Sequence, residues 1–518
     1  MDKTARVDFD YVIIGAGPGG LQLGYYFQQR GYDYAILEAG RAGSFFRTFP
    51  RHRKLISINK TSTGFDDPEL NLRWDWNSLL GDARSPRFAS YSQRYFPHAD
   101  DMVRYLGDYA EVAGLNIVGG ASIVSVRRPH DRFLVQSADG REFSARRLIV
   151  ATGLSAPVSP VFSGSEHVEL YGRASVDPKD YNGQRVMIIG KGNSGFETGD
   201  NLVETAAAIH MISPSPVRLA WRTHYVGHLR AVNNNLLDTY QLKSQNTILD
   251  AEIQRIRRVG THLLVSIRYT HAQGEEREIA VDRVIACCGF RFDASPFSEE
   301  CRPRIVFGKY PEMNCAWEAL NVPDMFFAGT LMHMRDYRRS FSGFIHGFRY
   351  NVKILADIIA VRYHGAAWYG RAIPSASDAI VRTLIERIHS NSSLFQQPGF
   401  IADVATFDGD GARYYEDMPF DLVEQSGVAN GGLRLTLTME YGHQDYVDPF
   451  NIPREPAAGE RSHFIHPVLR VFRGDAKQDE YHVPEDLEND WRHERYVRPL
   501  ADFVAQRLEA AAPSRPLA

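Results

Sequence analysis

The sequence predicts an α/β fold in which one dinucleotide-binding domain is inserted into another, followed by a C-terminal α+β extension. The 518 residues are too many for one ordinary core, so several domains are expected. A glycine-rich turn between an apolar strand and a helix occurs near the N-terminus and again near residue 190. Because the first pattern resumes after the second, we expect a first domain at 1–155 and 283–368, an inserted domain at 156–282 and the extension at 369–518.

The first glycine-rich turn predicts a Rossmann-like nucleotide site. An apolar strand at 9–14 leads into three spaced glycines, and a helical pattern follows. Gly15 permits the tight turn, Gly17 lets the backbone approach a pyrophosphate, and Gly20 lets helix and strand pack closely. The helix N-terminus offers free N–H groups to phosphates. The next strand ends in Glu38, where an adenosine ribose needs a hydroxyl acceptor.

The second glycine-rich turn predicts a second Rossmann-like unit, for a nicotinamide dinucleotide. It follows an apolar strand and consists of Gly190, Gly192, Asn193, Ser194 and Gly195. The strand after the next helix ends in Ser213 rather than in an acid, and Arg218 follows. An acid would hold a free ribose 2′-hydroxyl, whereas serine and arginine suit a 2′-phosphate. We therefore expect NADPH rather than NADH.

Further elements complete the predicted pattern. A helix is predicted at 100–113 and a small β-meander at 117–145. Two more strands end in glycine turns, at Gly153 and at Gly329, and a helix starting near Ser342 would point its N-terminus at the place where these strands end. The extension shows helical patterns at 378–388 and 500–508 and an alternating strand at 433–441.

Composition and charge exclude several classes of protein. Hydrophobic residues make up 44% and charged residues 24%, and the net charge of −4 gives no general affinity for polyanions, so nucleic acid is not an expected partner. No apolar run is long enough to span a bilayer, and the first strand comes too early for a signal peptide. We expect a cytoplasmic protein without membrane attachment. The oligomeric state is left open, with a homodimer included. No metal site is expected, because His463 and His466 lack further ligands at suitable spacing.

The four cysteines show no redox motif. Cys287 and Cys288 are adjacent, and no Cys-x-x-Cys pair occurs anywhere in the chain. Adjacent cysteines rarely close a relaxed disulfide because of the geometry that the bond requires. We interpret Cys287 and Cys288 as small buried residues at the end of a strand.

These motifs resemble those of the flavin-containing monooxygenase superfamily, whose members use FAD and NADPH. The resemblance covers roughly residues 8–360. It implies that the first glycine motif holds FAD, that the second holds NADPH, and that Gly153 lies in the link between the two domains. Phe46 replaces a tryptophan of that superfamily, and Ala174-Ser175 replaces a His-Ser pair. The second replacement argues against Baeyer–Villiger chemistry.

A closer resemblance is to the FAD-dependent oxidoreductase domain-containing proteins, and it extends into the C-terminal region. It rests on the stretches 50–60, 223–227, 237–244 and 464–467. That subgroup is similar to bacterial N-hydroxylases of L-aspartate and other amino acids. The resemblance therefore implies N-hydroxylation of a small amine with O2 as co-substrate, best an amino acid such as L-aspartate, towards a nitro product. Oxygenation of sulfur or of a larger metabolite, and a non-oxygenating interaction role, stay open as alternatives.

Such chemistry implies functional residues around the flavin. The resemblance implies a C4a-hydroperoxyflavin that an amine attacks, and Asn59 is the candidate that stabilises it. The alternative for Asn59 is a structural asparagine at a strand end. Carboxylates of an amino acid need cationic or hydroxyl donors, and the candidates are Lys54, Lys60, Thr61, Arg291 and Arg434. For each arginine taken alone, a surface or structural role is the alternative.

Overall fold

A computed structural model of the chain describes residues 6–242, 246–408, 411–428, 432–442, 451 and 458–511. Residues 243 and 244, which end one of the stretches that carry the resemblance, lie outside the described residues. The strands are β1 (Val7–Ile14), β2 (Tyr34–Leu37), β3 (Ile117–Val118), β4 (Ile123–Arg127), β5 (Phe133–Ser137), β6 (Glu142–Val150), β7 (Ala156–Pro157), β8 (Glu169–Leu170), β9 (Arg185–Ile189), β10 (Ala208–Ser213), β11 (Asn246–Val259), β12 (His262–Tyr269), β13 (Glu276–Val281), β14 (Arg283–Ala286), β15 (Phe290–Arg291), β16 (Ile305–Val306), β17 (Tyr310–Pro311), β18 (Met325–Phe327), β19 (Arg371–Pro374), β20 (Ile401–Asp408), β21 (Gly411–Pro419), β22 (Leu433–Tyr441), β23 (Ile465–Arg473) and β24 (Ala476–His482). The α-helices are α1 (Pro18–Gln29), α2 (Phe45–Thr48), α3 (Pro68–Asn71), α4 (Ala99–Val112), α5 (Asn193–Leu202), α6 (Ala220–Thr223), α7 (Asn235–Leu242), α8 (Ile345–His364), α9 (Ser377–Ser390), α10 (Ser393–Gln396) and α11 (Glu494–Ala511).

The first sheet gathers the strand ends that the sequence pointed to. Its order is β3-β2-β1-β6-β5-β4, and β18 also pairs with β6. β1 is parallel to β2 and β6, so that Ile14 is level with Leu37 and Val150. β5 pairs with the first half of β6 and β18 with its second half. The carboxyl ends of β1, β2, β6 and β18 therefore meet at one edge, where ligands bind in open parallel sheets.

The second sheet repeats this plan. Its order is β13-β12-β11-β10-β9-β14-β8, with β9 parallel to both β10 and β14. Parallel sheets with helical crossovers confirm the predicted α/β class with two Rossmann-like units. One boundary was wrong: 283–286 was assigned to the first domain, but β14 pairs with β9 and β8 in the inserted sheet. The sequence of an apolar strand does not indicate which sheet the strand joins. In the second unit, β14 occupies the place that β6 occupies in the first.

The C-terminal extension is an antiparallel sheet with helices against it. The strand order is β19-β21-β20-β22-β23-β24, and the adjacent helices are α9, α10 and α11. The predicted strand at 433–441 is confirmed as β22. The predicted helix near Ser342 begins later, at Ile345, because residues 340–343 form a turn. The last helix begins earlier than predicted, at Glu494.

Apolar packing ties the extension to the first domain. One continuous core cluster reaches from Tyr11 in β1 to Val504 in α11. The inserted domain has two clusters of its own, and Ile188 belongs to one while Met187 belongs to the other. Successive strand residues point to opposite faces, so these clusters cover the two faces of the second sheet. In the part of the chain that the structure describes, no helix is long and apolar enough to cross a bilayer.

Candidate functional site

A cavity of about 910 Å³ lies where the two nucleotide units meet. The first unit contributes Gly15, Gly17 and the strand end at Glu38 to its wall. The second unit contributes Asn193 and Ser194 at the start of α5. This volume is typical of ligand-binding clefts. The two predicted nucleotide sites therefore open into one shared space.

The first glycine turn has the geometry that a pyrophosphate requires. Gly15 has a φ of 106°, which glycine adopts readily. A Cβ on Gly20 would lie 2.0 Å from the carbonyl oxygen of Gly15, so the close approach of helix and strand needs glycine there. A Cβ on Gly17 would meet no protein atom within 4 Å. Because Gly17 lines the cavity, the space beside its Cα is open to a ligand phosphate.

The acidic strand end is fixed in place beside this turn. Oε2 of Glu38 accepts a 2.8 Å hydrogen bond from the Ala16 N–H, and Oε1 accepts one of 2.9 Å from Gly40. Each carboxylate oxygen keeps a further lone pair for a ribose hydroxyl. At the neighbouring strand end, Gly329 approaches α1 so closely that a Cβ on Gly19 would lie 2.5 Å from the Gly329 Cα. These residues fit the adenosine and pyrophosphate parts of FAD.

The second glycine turn reproduces the first. Gly190 has a φ of 113°, and a Cβ on Gly195 would lie 2.2 Å from the Gly190 carbonyl oxygen. A Cβ on Gly192 would meet no protein atom within 4 Å. The carbonyl oxygen of Cys287, after β14, lies 2.4 Å from the Cβ position of Gly190, as the carbonyl after β6 faces the first turn. The chain therefore contains two glycine-rich turns of the same geometry, around Gly17 and Gly192, which we call the pyrophosphate cradles.

Asn193 organises the loop that covers the second unit. Its Oδ1 accepts a 3.0 Å hydrogen bond from the Arg230 N–H, and its Nδ2 donates one of 2.8 Å to the His228 carbonyl. Ser194 follows it in the cavity wall. Asn193 therefore fixes a loop of the inserted domain at the edge of the shared space.

The residues predicted to select NADPH lie at the carboxyl end of β10. The Ser213 hydroxyl donates a 3.1 Å hydrogen bond to the Ser215 carbonyl, and Arg218 is exposed. Neither lines the cavity. A 2′-phosphate lies at the adenosine end of the nucleotide, away from the nicotinamide, so this position agrees with the predicted role, which stays a prediction.

The predicted cofactor residues fall into two sets, those that line the cavity and those that do not. The cavity wall contains Gly15, Gly17, Glu38, Phe46, Gly153, Asn193, Ser194 and Gly329. Outside the wall lie Gly20, Gly190, Gly192, Gly195, Ser213, Arg218 and Ser342.

Ser342 supports the start of α8 instead of reaching the cavity. Its hydroxyl accepts hydrogen bonds of 3.0 Å from Nε2 of Gln397 and 2.7 Å from Nδ2 of Asn351. Gln397 also donates a 3.0 Å bond to the Gly347 carbonyl. Since Gln397 follows α10, the C-terminal extension holds the turn from which α8 enters the cavity wall.

Asn59 does not line the cavity. It is buried, and its Nδ2 donates hydrogen bonds of 2.7 Å to the Ser92 carbonyl and 3.4 Å to the Arg94 carbonyl. The bonds of Nδ2 favour the structural alternative that the sequence left open, while among the described residues Oδ1 of Asn59 has no hydrogen-bond partner. Ile56 and Ser57 of the same stretch reach the cavity in its place.

Of the predicted carboxylate-binding residues, Lys54 lines the cavity. Lys60 and Thr61 lie outside its wall, and Arg291 is exposed in the short strand β15. Arg434 is buried in β22, where it contacts Glu424 at 3.3 Å and stacks on Phe472.

Carboxylate binding by Lys54, Lys60, Thr61, Arg291 and Arg434 stays a prediction, and of these five residues Lys54 lines the cavity. Lys309, which sequence reasoning missed, joins Lys54 in the wall, and burial together with Arg338 lowers its pKa.

Sequence reasoning also missed a carboxyl group in the wall. Glu197, in the second turn of α5, lines the cavity with Tyr171. The Tyr171 hydroxyl donates a 2.9 Å hydrogen bond to Oε2, and the His52 N–H donates one of 3.3 Å to Oε1. Burial raises the pKa of Glu197 to about 7. The only sequence feature that concerned Glu197 was the predicted helix that contains it.

Aromatic side chains form much of the remaining wall. They include Phe46, Phe49 and Phe290 on one part and Trp76, Phe344 and Phe348 on another. Trp76 belongs to the polar and aromatic segment at 66–92, which has little regular structure. These side chains make much of the wall apolar.

Cysteine is absent from the cavity wall in the part of the chain that the structure describes. All four cysteines are free; Cys287 is buried, as predicted, whereas Cys288 is half-buried. The Sγ of Cys287 lies 3.8 Å from the Thr198 hydroxyl, and burial raises the pKa of its thiol to about 12. A thiol in that environment is a poor nucleophile.

Comparison with known proteins agrees with this geometry. The family model described as pyridine nucleotide-disulphide oxidoreductase matches residues 12–329. The FAD-dependent oxidoreductase domain-containing protein 2 of Mus musculus is 36% identical, over 98% of this chain and 85% of that protein.

Two solved structures share the fold of the nucleotide domains. The flavin-containing monooxygenase from Stenotrophomonas maltophilia is 22% identical with a TM-score of 0.53, over 70% of this chain and 100% of that one. The ornithine N-hydroxylase of Kutzneria sp. 744 is 16% identical with a TM-score of 0.51, over 68% and 99%.

FAD and NADP(H) are therefore the cofactors, as the sequence predicted. The two glycine cradles fit them without a clash, because Gly17 and Gly192 leave open space where a Cβ would project. The family match spans both cradles and the Gly329 strand end. The chain belongs to the pyridine nucleotide-disulphide oxidoreductase family.

Proposed function

We propose that this protein is an NADPH-dependent flavin monooxygenase that N-hydroxylates an amine. The observation that supports it is one cavity walled by both nucleotide units, with no cysteine in its described wall. When bound, FAD supplies electron transfer from NADPH to O2. The overall reaction balances as R–NH2 + O2 + NADPH + H⁺ giving R–NHOH + NADP⁺ + H2O. A disulfide substrate or relay would need a thiol beside the flavin, and the described wall offers none.

The chain's own groups bind, orient and exclude water. The cradles at Gly17 and Gly192 would hold the two pyrophosphates, and the Glu38 carboxylate would hold the ribose of FAD. Glu197 and Tyr171 place a protonatable pair in the wall near the start of α5. With a pKa of about 7, the Glu197 carboxyl can hold or release a proton at neutral pH.

The substrate that we propose is a small amine, with an amino acid such as L-aspartate as the first to test. Lys54 and Lys309 are the lysines of the described wall, and a substrate carboxylate would pair with one of them. Unlike arginine, a lysine gives a point charge without a bidentate fork. Binding of two carboxylates would therefore require both lysines.

Oxygenation of sulfur or of a larger apolar metabolite is the second candidate. It is favoured by the aromatic wall at Phe46, Phe49, Trp76 and Phe344. A thioether needs no cation and gains from apolar contact. The proposal of an interaction role without oxygenation rests on no feature of the cavity.

The test is product analysis with isotopically labelled O2. Purified holoprotein is supplied with NADPH and, in separate reactions, L-aspartate, other amino acids, aniline and thioanisole. We expect labelled hydroxylamine, nitroso or nitro product from an amine. Labelled sulfoxide in place of these products would support the second candidate. NADPH consumption that yields only hydrogen peroxide with every compound would reject both.

A further inference from the structure

His346 is a buried histidine in the cavity wall whose ring lacks hydrogen-bond partners. It is the second residue of α8 and is 1% exposed. Among the described residues, neither Nδ1 nor Nε2 has a partner. Leaving a buried polar group without a partner costs about 1–3 kcal/mol, so native structures rarely keep one without a reason. Because His346 lines the cavity, a ligand in the cavity can supply the missing partner.

Aromatic stacking restricts how that ligand can approach. The ring of Trp76 lies 4.3 Å from the His346 ring at 24°, and the ring of Phe344 lies 5.8 Å away at 16°. Phe341 contacts the same ring at 5.6 Å. Two nearly parallel rings stack against the imidazole, so a hydrogen-bonding ligand has to approach the edge that carries the two nitrogens.

The electrostatic surroundings keep this histidine neutral. Burial is the largest effect, and the positive charges of Arg349 and Arg230 add to it, so the pKa of His346 falls well below its ordinary value. A neutral imidazole has one N–H donor and one acceptor nitrogen.

The two arginines would also repel a positively charged ligand at the same place. Arg349 lies on α8 itself, and its guanidinium donates to the Leu72 and Asp75 carbonyls. Arg230 comes from the loop that Asn193 holds, and its guanidinium lies 5.0 Å from the Trp76 ring. An ammonium group beside His346 would face both charges.

We propose that His346 accepts a hydrogen bond from the neutral amino group of the substrate, in a pocket of Trp76, Phe344 and Phe348. This assignment rests on the proposed function and adds the group that selects the uncharged amine. Only the neutral amine has the free lone pair that oxygen transfer needs. The acceptor nitrogen of His346 would take one N–H and leave that lone pair directed away from the ring.

The experiment measures binding to oxidised holoprotein, so it needs no turnover. The probes at neutral pH are aniline, whose amine is uncharged, benzylamine, whose amine is mostly protonated, and toluene, which has the shape of aniline without the amine. Binding is followed by the change in the flavin absorbance spectrum. The variants are H346L, which removes both nitrogens, and H346Q, which keeps a donor and an acceptor. H466L is the matched control, because His466 is equally buried but is hydrogen-bonded to Phe464 in the extension.

We expect aniline to bind wild type more tightly than toluene or benzylamine does. H346L should weaken aniline binding about five- to tenfold, the scale of one net hydrogen bond. H346Q should retain most of the affinity, and H466L all of it. FAD content and the rate of flavin reduction by NADPH should be unchanged in the control H466L.

Several outcomes would overturn the assignment. Equal binding of aniline and toluene to wild type would do so even if H346L failed to fold. Aniline affinity that is the same in H346L and wild type, or loss of FAD from H346L with unchanged aniline affinity, would assign His346 to another ligand. His346-dependent aniline binding, together with hydrogen peroxide as the only product from every compound supplied, would uphold the assignment and reject the proposed function.

Discussion

The Tyr171 hydroxyl donates a 2.9 Å hydrogen bond to Oε2 of Glu197 in the wall shared by the two nucleotide units. Burial is the main cause that raises the Glu197 pKa to about 7, and the bond from Tyr171 opposes it by favouring the carboxylate. Burial also raises the pKa of the Tyr171 hydroxyl, so it stays a donor at neutral pH. A carboxyl that titrates near pH 7 therefore faces the cavity.

Replacing Glu197 by glutamine should change how stability depends on pH. The folded-state pKa is raised from 4.5 to about 7, so the native state binds the proton more tightly than the unfolded chain does. Wild type should lose stability relative to E197Q as the pH rises from 4.5 through 7. The full difference corresponds to about 3 kcal/mol.

This prediction is checked by urea unfolding of both proteins at several pH values. Y171F is the companion variant. It removes a hydrogen bond that favours the Glu197 carboxylate, so the pKa of Glu197 should be higher in Y171F than in wild type. The pH-dependent loss of stability should therefore extend to higher pH in Y171F. A stability difference between wild type and E197Q that is constant across this range would contradict the assignment of the raised pKa.

Adding one methyl group at Gly17 or at Gly192 should weaken the binding of one cofactor and leave the other unchanged. A Cβ at Gly17 or Gly192 meets no protein atom within 4 Å, so G17A and G192A should fold normally. G17A should lose FAD affinity at least about tenfold, because its Cβ occupies the space of the phosphate. G192A should keep FAD and raise the KM for NADPH by a similar factor.

The matched control is G107A in α4, where a Cβ also meets nothing within 4 Å and the residue does not line the cavity. FAD content by absorbance and steady-state KM values give the answer. Full FAD occupancy in G17A, or a KM for NADPH unchanged in G192A, would show that the nucleotide does not approach these glycines.

Arg218 should distinguish NADPH from NADH. It is exposed near the end of β10, where a 2′-phosphate is expected, so R218A should lower kcat/KM for NADPH about tenfold or more and leave NADH unaffected. Arg258, exposed in β11, provides the control R258A. If both coenzymes responded equally to R218A, the cation would act on a group that they share, and the 2′-phosphate assignment would fall.

Gln397 lies in the extension, but its replacement should lower ligand affinity in the cavity. Its side chain bonds to Ser342, Gly347 and Asn351 at the start of α8. Q397L would leave several buried groups without partners and should lower the free energy of unfolding by about 1–3 kcal/mol for each strongly affected group. Q478L, on the exposed part of β24, should be neutral. Ligand affinity should fall in Q397L, and an unaltered affinity and unfolding midpoint would show that the extension does not position α8.

Local sequence patterns predicted the nucleotide units well, because glycine spacing and apolar strands are determined by backbone geometry within a few residues. Gly15 and Gly190 adopt the positive φ values that their place in the turn implied. Of the predicted substrate-binding residues Lys54 lines the described cavity, and the other wall residues come together from segments far apart in the chain. Packing across the fold brings His346 beside Trp76, and Arg434 forms an ion pair with Glu424. No pattern around either residue records such contacts.

The most direct test of the central claim is an anaerobic titration of the holoprotein with NADPH, with flavin absorbance and free thiols followed together. If electrons leave the flavin for oxygen without a cysteine relay, one NADPH per FAD should complete the reduction and no new thiol should appear. Admission of O2 should then restore the oxidised flavin. Uptake of two NADPH per FAD together with the appearance of two new thiols would contradict the claim and assign the cavity to disulfide chemistry.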